Sequence, residues 1–206
     1  MSLTAPVQIR VMELVLRSPD TGWDYARWSQ LPDDGNRYEV IDGVLYMTTA
    51  PSFFHQWITS RIVRQLQNQI EDTGRGIVAF APIGLLMPGC DPVQPDVVVI
   101  GSTDVAEIRD RRIHTVPALL VEVSSPSTQQ HDTAIKCAAY ARAGVPEYWI
   151  VRPAERDVLV HSRPDAAAGL YLATSTFTSD AELVAATLPF RAPVASFFAG
   201  SPDETI

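Results

Sequence analysis

Cysteine, lysine and long apolar runs are the scarce features of this 206-residue chain. Its two cysteines, Cys90 and Cys137, stand far apart and share no CxxC or Cys/His spacing. That excludes a disulfide framework and a cysteine-based zinc site, and it suits a reducing, cytoplasmic setting. Arg10, Glu13 and Arg17 interrupt the first apolar stretch, so neither a signal peptide nor a membrane partner is expected. Positive charge is short as well: 16 Lys+Arg face 24 Asp+Glu, for a formal charge of -8 and a pI of about 4.9. A broad basic surface of the kind that drives non-specific nucleic-acid binding is thereby excluded. Arg109, Arg111 and Arg112 form one local cluster, and Arg61 and Arg64 a smaller one; each reads first as a solvated charged face. Also absent are a GxSxG elbow, a Walker-type GK[ST], an HExxH and a complete GxGxxG, which removes the common hydrolase, nucleotide and zinc-protease signatures.

What is present is material for one substantial core, at 46% hydrophobic residues. Residues 21–200 read as a single domain, with 1–20 as a tail or short arm and 201–206 as a second tail. A short helix is expected over Trp23–Leu31, closed by the turn residues Pro32-Asp33-Asp34-Gly35. Strand-like runs at Arg37–Ile41 and Val44–Thr48 flank Asp42-Gly43, a dipeptide suited to a type I′ hairpin. Phe54, Ile58, Ile62, Leu66 and Ile70 recur every four positions and predict a long amphipathic helix from Ser52 to Thr73, stopped by Gly74. Four β-rich runs follow, at Ile77–Ala81, Ile83–Met87, Asp96–Ile100 and Ala118–Val123, and are assigned to one central sheet. A helix is expected over Ser127–Ala143 before Gly144, then strands at Glu147–Val151 and Val158–Ser162. The C-terminal part adds a strand near Tyr171–Phe177 and a short helix at Val194–Ala199. Strands flanked by two good helices point to an α/β fold with a central mixed sheet.

Within that frame a few polar residues stand out. Asp96 follows Pro95 at the start of an apolar strand and shares a face with Val98, while Val97 and Val99 face the other way. Glu122 interrupts an apolar strand on the face of Leu120 and Ser124. A buried acid is costly unless it is paired or binds a cation, and two such acids suit a hard cation, Mg²⁺ or Mn²⁺. The alternative is that Asp96 caps a strand start and Glu122 faces water at an edge. Lys136 is the one lysine among 16 basic residues. A lysine is a compact point charge that can orient or deprotonate water where arginine cannot, although Asp132 one turn earlier offers Lys136 a plain i,i+4 salt bridge. Asp132, Lys136 and Tyr140 could form one polar stripe along the helix, with Tyr140 as a core residue whose hydroxyl lies at the rim.

The series YEVIDG at 38–43, QPDVVVI at 94–100, VEVSSPS at 121–127 and DTAIKCAAYARAGVPEYWIV at 132–151 resembles the Uma-type family of restriction endonucleases, within the PD-(D/E)xK superfamily. The likeness covers about residues 22 to 162. It implies a restriction-endonuclease-like α/β fold and a magnesium-dependent nuclease acting on DNA. It further implies a site in which Asp96, Glu122 and the Val123 carbonyl hold the cation while Lys136 positions the attacking water. Ser124 occupies the position where the superfamily pattern has its lysine, so Lys136 on the next helix would take over that role. Glu39 and His55 are supporting candidates, Glu39 from the first strand and His55 from the start of the long helix, with a solvent-facing or ordinary surface role as the alternative for each. Cutting both strands of a duplex would call for a symmetric homodimer. The competing class is a non-catalytic nucleic-acid- or protein-binding module that keeps the nuclease fold, and a third reading is a nuclease for RNA or another phosphodiester.

Overall fold

The computed structural model describes residues 15–205. Most of the expected N-terminal arm lies outside the described residues, but its last part is a strand: β1 (Val15–Thr21) pairs antiparallel with Val44–Thr48. The short helix α1 (Tyr25–Trp28) is narrower than its sequence span and starts at Asp24, whose carboxylate accepts the Arg27 N–H. The hairpin of β2 (Arg37–Ile41) and β3 (Val44–Thr48) has the expected bounds. Its turn residues Asp42 and Gly43 take φ of 50° and 74°, the left-handed pair that a type I′ turn requires.

Helix α2 (Phe53–Leu66) is capped by Ser52, whose Oγ accepts the His55 N–H, and continues through a wider π-type turn at Gln67–Glu71. Its apolar stripe is buried as the spacing implies. After it come β4 (Gly76–Phe80), β5 (Gly84–Met87), β6 (Cys90–Val93) and β7 (Val97–Gly101). A small hairpin of β8 (Ile108–Arg109) and β9 (Arg112–Ile113) precedes β10 (Leu119–Val123). A π-type turn at His131–Lys136 runs into α3 (Cys137–Ala143), which ends on Gly144 at φ 84°. Strands β11 (Glu147–Arg152), β12 (Asp157–Asp165) and β13 (Leu170–Phe177) follow. The chain then forms a hairpin of β14 (Glu182–Val184) and β15 (Arg191–Pro193), and the final turn of helix α4 (Ala195–Phe198).

Two large sheets result. One has the order β13-β12-β11-β10-β7-β4, with β10 and β11 parallel and the other pairs antiparallel. The parallel pair is joined through the 131–143 helical segment, the crossover such a pair needs. The other sheet has the order β1-β3-β2-β6-β5-β9-β8. Placing Ile83–Met87 in the central sheet is therefore corrected: β5 pairs with β6 and β9 in the second sheet. The cause is β6, which carries Pro92 and so does not read as a strand.

Alternation along the strands divides the core. Val97, Val99, Val121, Val123, Trp149 and Val151 pack beneath α2, α4 and the β14–β15 hairpin. On the opposite face Val98, Ile100, Leu120, Tyr148 and Ile150 pack against β2, β3, β5, β6 and α3. No helix among the described residues is long and apolar enough to cross a membrane.

Candidate functional site

On the second of these faces a set of charged side chains replaces the apolar ones where β2, β7, β10 and the 131–143 segment converge. Arg37 and Glu39 share a face of β2, Asp96 sits just before β7, Glu122 lies on β10, and Lys136 reaches in from the π-type turn. All four carboxylates in the group, Glu39, Asp96, Glu122 and Asp132, are at most 3% exposed, as is Lys136. They line one small pocket of about 30 Å³, with Arg37, His55 and Val123 also on its wall. That is room for about one or two waters, not for a nucleotide.

Three of the acids, Asp96, Glu122 and Glu39, are held by specific hydrogen bonds. Asp96 Oδ1 accepts from Arg37 Nη1 at 3.0 Å, and Oδ2 accepts the Val123 N–H at 2.8 Å and lies 3.0 Å from His55 Nε2. Lys136 Nζ donates to Glu122 Oε1 at 2.9 Å and stands 3.1 Å from Glu39 Oε1, which also accepts the Gln94 N–H at 2.7 Å. The Tyr140 hydroxyl donates to Glu122 Oε1 at 2.9 Å. Lys136 thus ties β2 to β10, and the side chains that the sequence spreads over a hundred positions meet around it.

The electrostatics follow from four carboxylates against two permanent cations. Burial works to neutralise Asp96, but His55, Arg37 and the Val123 N–H outweigh it and hold its carboxyl far below the usual range. Burial also opposes charge on Glu39, where Lys136 and His131 prevail and lower it. Glu122 is the exception: burial, reinforced by Asp96, Asp132 and Glu39, pushes its carboxyl up in spite of Lys136. Burial would lower Lys136, yet Glu122, Glu39 and Asp132 raise it well above an ordinary lysine. Four carboxylates thus face two permanent cations, and the raised Glu122 is where the pocket takes up part of that imbalance as a proton.

Asp96, Glu122, Lys136, Glu39, His55, Asp132 and Val123 all line this pocket, and Tyr140 reaches it through Glu122. Neither a water-facing edge position for Glu122 nor a solvent-facing Glu39 is found, since both are buried. The Asp132–Lys136 salt bridge is not found either; the lysine turns to Glu122 and Glu39 instead. Tyr140 is a core residue as expected, but its hydroxyl is fully inside, not at a rim. Ser124 stays outside the pocket, its Oγ directed to the Ser125 carbonyl. Two residues escaped the sequence reading. Arg37 was legible in principle, two positions before Glu39 on the same strand face. His131, whose ring lies 4.7 Å from Tyr46 and lines the pocket, carries no such signal because the π-type turn alters the helical phase.

Whether these residues suit a divalent cation is a question of donor chemistry. Hard carboxylate oxygens are what Mg²⁺ or Mn²⁺ takes, and Glu39, Asp96, Glu122 and Asp132 supply them in one pocket. In this arrangement the acids are bridged by Lys136, Arg37 and His55, and among the described residues no three His, Cys, Asp or Glu side chains surround a common point at metal-ligand spacing.

A mixed sheet with helices on its faces and this acid-and-lysine pocket on one of them is a restriction-endonuclease-like α/β fold. The chain matches the Uma2 family, described as "Putative restriction endonuclease", over residues 24–195, and it belongs to that family. Among solved structures it is similar to a "putative nuclease belonging to DUF820" from Anabaena variabilis, at a TM-score of 0.71 and 18% identity, covering 88% of this chain and 98% of that one. No curated protein matches the chain significantly.

Proposed function

We propose that this member of the family is a metal-dependent endonuclease that hydrolyses phosphodiester bonds in DNA, with Asp96, Glu122 and Lys136 at the reacting centre. The observation that carries the proposal is the buried convergence of those three side chains from three separate elements, at the energetic cost of four carboxylates in one pocket. Structural need alone would be met more cheaply by apolar packing.

Asp96, Glu122 and the Val123 carbonyl would hold Mg²⁺ or Mn²⁺, which when bound stabilises the charge that develops on the phosphate oxygens. Around it the chain's own groups have separate tasks. Arg37, His55 and the Val123 N–H fix the Asp96 carboxylate, and Tyr140 fixes that of Glu122. Lys136 uses two of its three N–H donors on Glu122 and Glu39, leaving the third to orient the attacking water. Hydrolysis joins the oxygen of that water to phosphorus, breaks the opposite P–O bond, and passes a proton to the leaving oxygen. Cutting a duplex on both strands calls for two such sites, hence a symmetric homodimer in a cytoplasmic setting.

The formal charge of -8 favours a second reading, a binding module that keeps the fold without its chemistry. Calorimetric titration with Mn²⁺ separates the two. Wild type is expected to bind and Glu122→Ala to lose binding; a flat titration of wild type, or binding untouched by the substitution, removes the metal site. Supercoiled DNA with Mg²⁺ reports on chemistry, where Lys136→Ala is expected to slow cleavage by about 100-fold or more. DNA left intact by a wild type that binds metal would favour the binding module.

A further inference from the structure

The acid pocket opens beside a much larger groove, of about 790 Å³. Arg37, Thr49 and Pro51 belong to the walls of both, so the groove is the approach to the pocket. Its charge is the reverse of the chain's. Arg37, Arg111 and Arg112 line it against a single acid among the described residues, Asp33, in a molecule whose formal charge is -8.

Arg111 and Arg112 come from the β8–β9 hairpin, whose turn residues Asp110 and Arg111 take φ of 51° and 64°. A bulky arginine at positive φ is an unfavourable choice for a turn that glycine or asparagine would make freely. Neither arginine has a carboxylate partner among the described residues, unlike Arg109 in the same hairpin, which lies near Glu107 and Asp110. Arg112 is nevertheless fixed in place. Its guanidinium lies 5.2 Å from the centre of the Trp28 ring, which in turn stacks on Tyr25. Its Nη1 donates to the Arg111 carbonyl, and its stem fills the notch over Gly84, where an added Cβ would collide with Arg112 Cδ. Gly84 is in ordinary extended strand β5, so the missing side chain serves the arginine and not the backbone.

An unneutralised arginine pair beside a charged pocket, with Arg112 fixed in place and Arg111 exposed next to it, is suited to receive an anion. We propose that this groove is a backbone subsite: Arg111 and Arg112 bind phosphates of one DNA strand adjacent to the phosphodiester presented to Asp96, Glu122 and Lys136. Its volume takes about one or two nucleotides, within the range of sites that engulf a small ligand. The class of ligand rests on the nuclease reading above, whereas the binding itself needs no catalysis.

The test is anisotropy of a fluorescently labelled single-stranded 12-mer DNA with the full chain in EDTA, where binding proceeds without cleavage, repeated across a salt series. Arg111→Gln, on the exposed turn, and Arg112→Gln are each expected to weaken binding about tenfold and to reduce the slope of log affinity against log salt by about 0.7, one phosphate contact on a single strand. Gly84→Ala keeps every charge but displaces Arg112, and is expected to weaken binding as well. Affinities of all three variants within twofold of wild type, or no binding by wild type even at low salt, overturn the subsite. Parallel cleavage of supercoiled DNA by wild type with Mg²⁺ keeps the two proposals apart. Cleavage together with arginine-independent binding removes the subsite and leaves the nuclease, whereas arginine-dependent binding without cleavage keeps the subsite and removes the nuclease.

Discussion

Glu147 shows how much a single buried acid can organise outside the candidate site. It is fully buried, and its carboxylate accepts the Trp149 Nε1–H at 2.6 Å, the Ala186 N–H at 3.0 Å, and both the N–H and hydroxyl of Thr187 at 2.7 Å. These bonds tie the loop before β15 to the edge of β11. Removing the acceptor leaves the buried Trp149 indole N–H unsatisfied, at about 1–3 kcal/mol, and releases the Ala186 and Thr187 donors of the exposed loop. Glu147→Ala is therefore expected to lower stability by about 2 kcal/mol in urea unfolding, and Glu147→Gln by less. A loss below about 1 kcal/mol for the alanine variant would mean the loop detaches at little cost. Sequence pattern places Glu147 only as the first residue of a strand, because its partners lie some forty positions downstream in a loop with no periodic signal.

At the scale of elements, the start of α2 joins folding to the site. Ser52 Oγ accepts the His55 N–H, and His55 carries Asp96, so the helix cap also sets the orientation of an acid. Ser52→Ala is expected to cost about 1 kcal/mol and, in addition, to weaken Mn²⁺ binding while leaving DNA binding in EDTA unchanged. A stability loss with metal affinity unaltered would show that the cap is only structural. The elements that sequence made legible are those with one dominant period: the β2–β3 hairpin with its Asp-Gly turn, the four-residue stripe of α2, and the alternating β7, β10 and β11. Illegible were β6, disguised by Pro92, the three-residue strands β14 and β15, and the π-type turn that brings His131 to the pocket. The site divides in the same way. Asp96, Glu122 and Lys136 stood out as polar or rare residues in apolar surroundings, whereas Arg37 is an arginine among fifteen and only its contacts distinguish it.

For the whole molecule, the six-stranded sheet is shared by two apolar clusters, one on each face. Opening either cluster exposes the same strands, so the two are expected to unfold together. Residues 21–200 should then show one calorimetric transition with equal calorimetric and van't Hoff enthalpies. Two resolved peaks would divide the chain into separate folding units and overturn the single-domain reading. The same sharing explains why the acid pocket can be so costly: strands packed on both faces supply enough apolar burial to carry it.

The solitary lysine also makes the molecule a natural reporter for amine chemistry. Because Lys136 is the only ε-amine in the chain and is 3% exposed, succinimidyl esters should modify the folded protein only at its α-amine, and reach residue 136 only as the pocket opens. Mass spectrometry of peptides after pulse labelling across a denaturant series would then follow exposure of this one side chain without any engineered tag, and rapid labelling of Lys136 under native conditions would show that the pocket opens far below the global unfolding threshold.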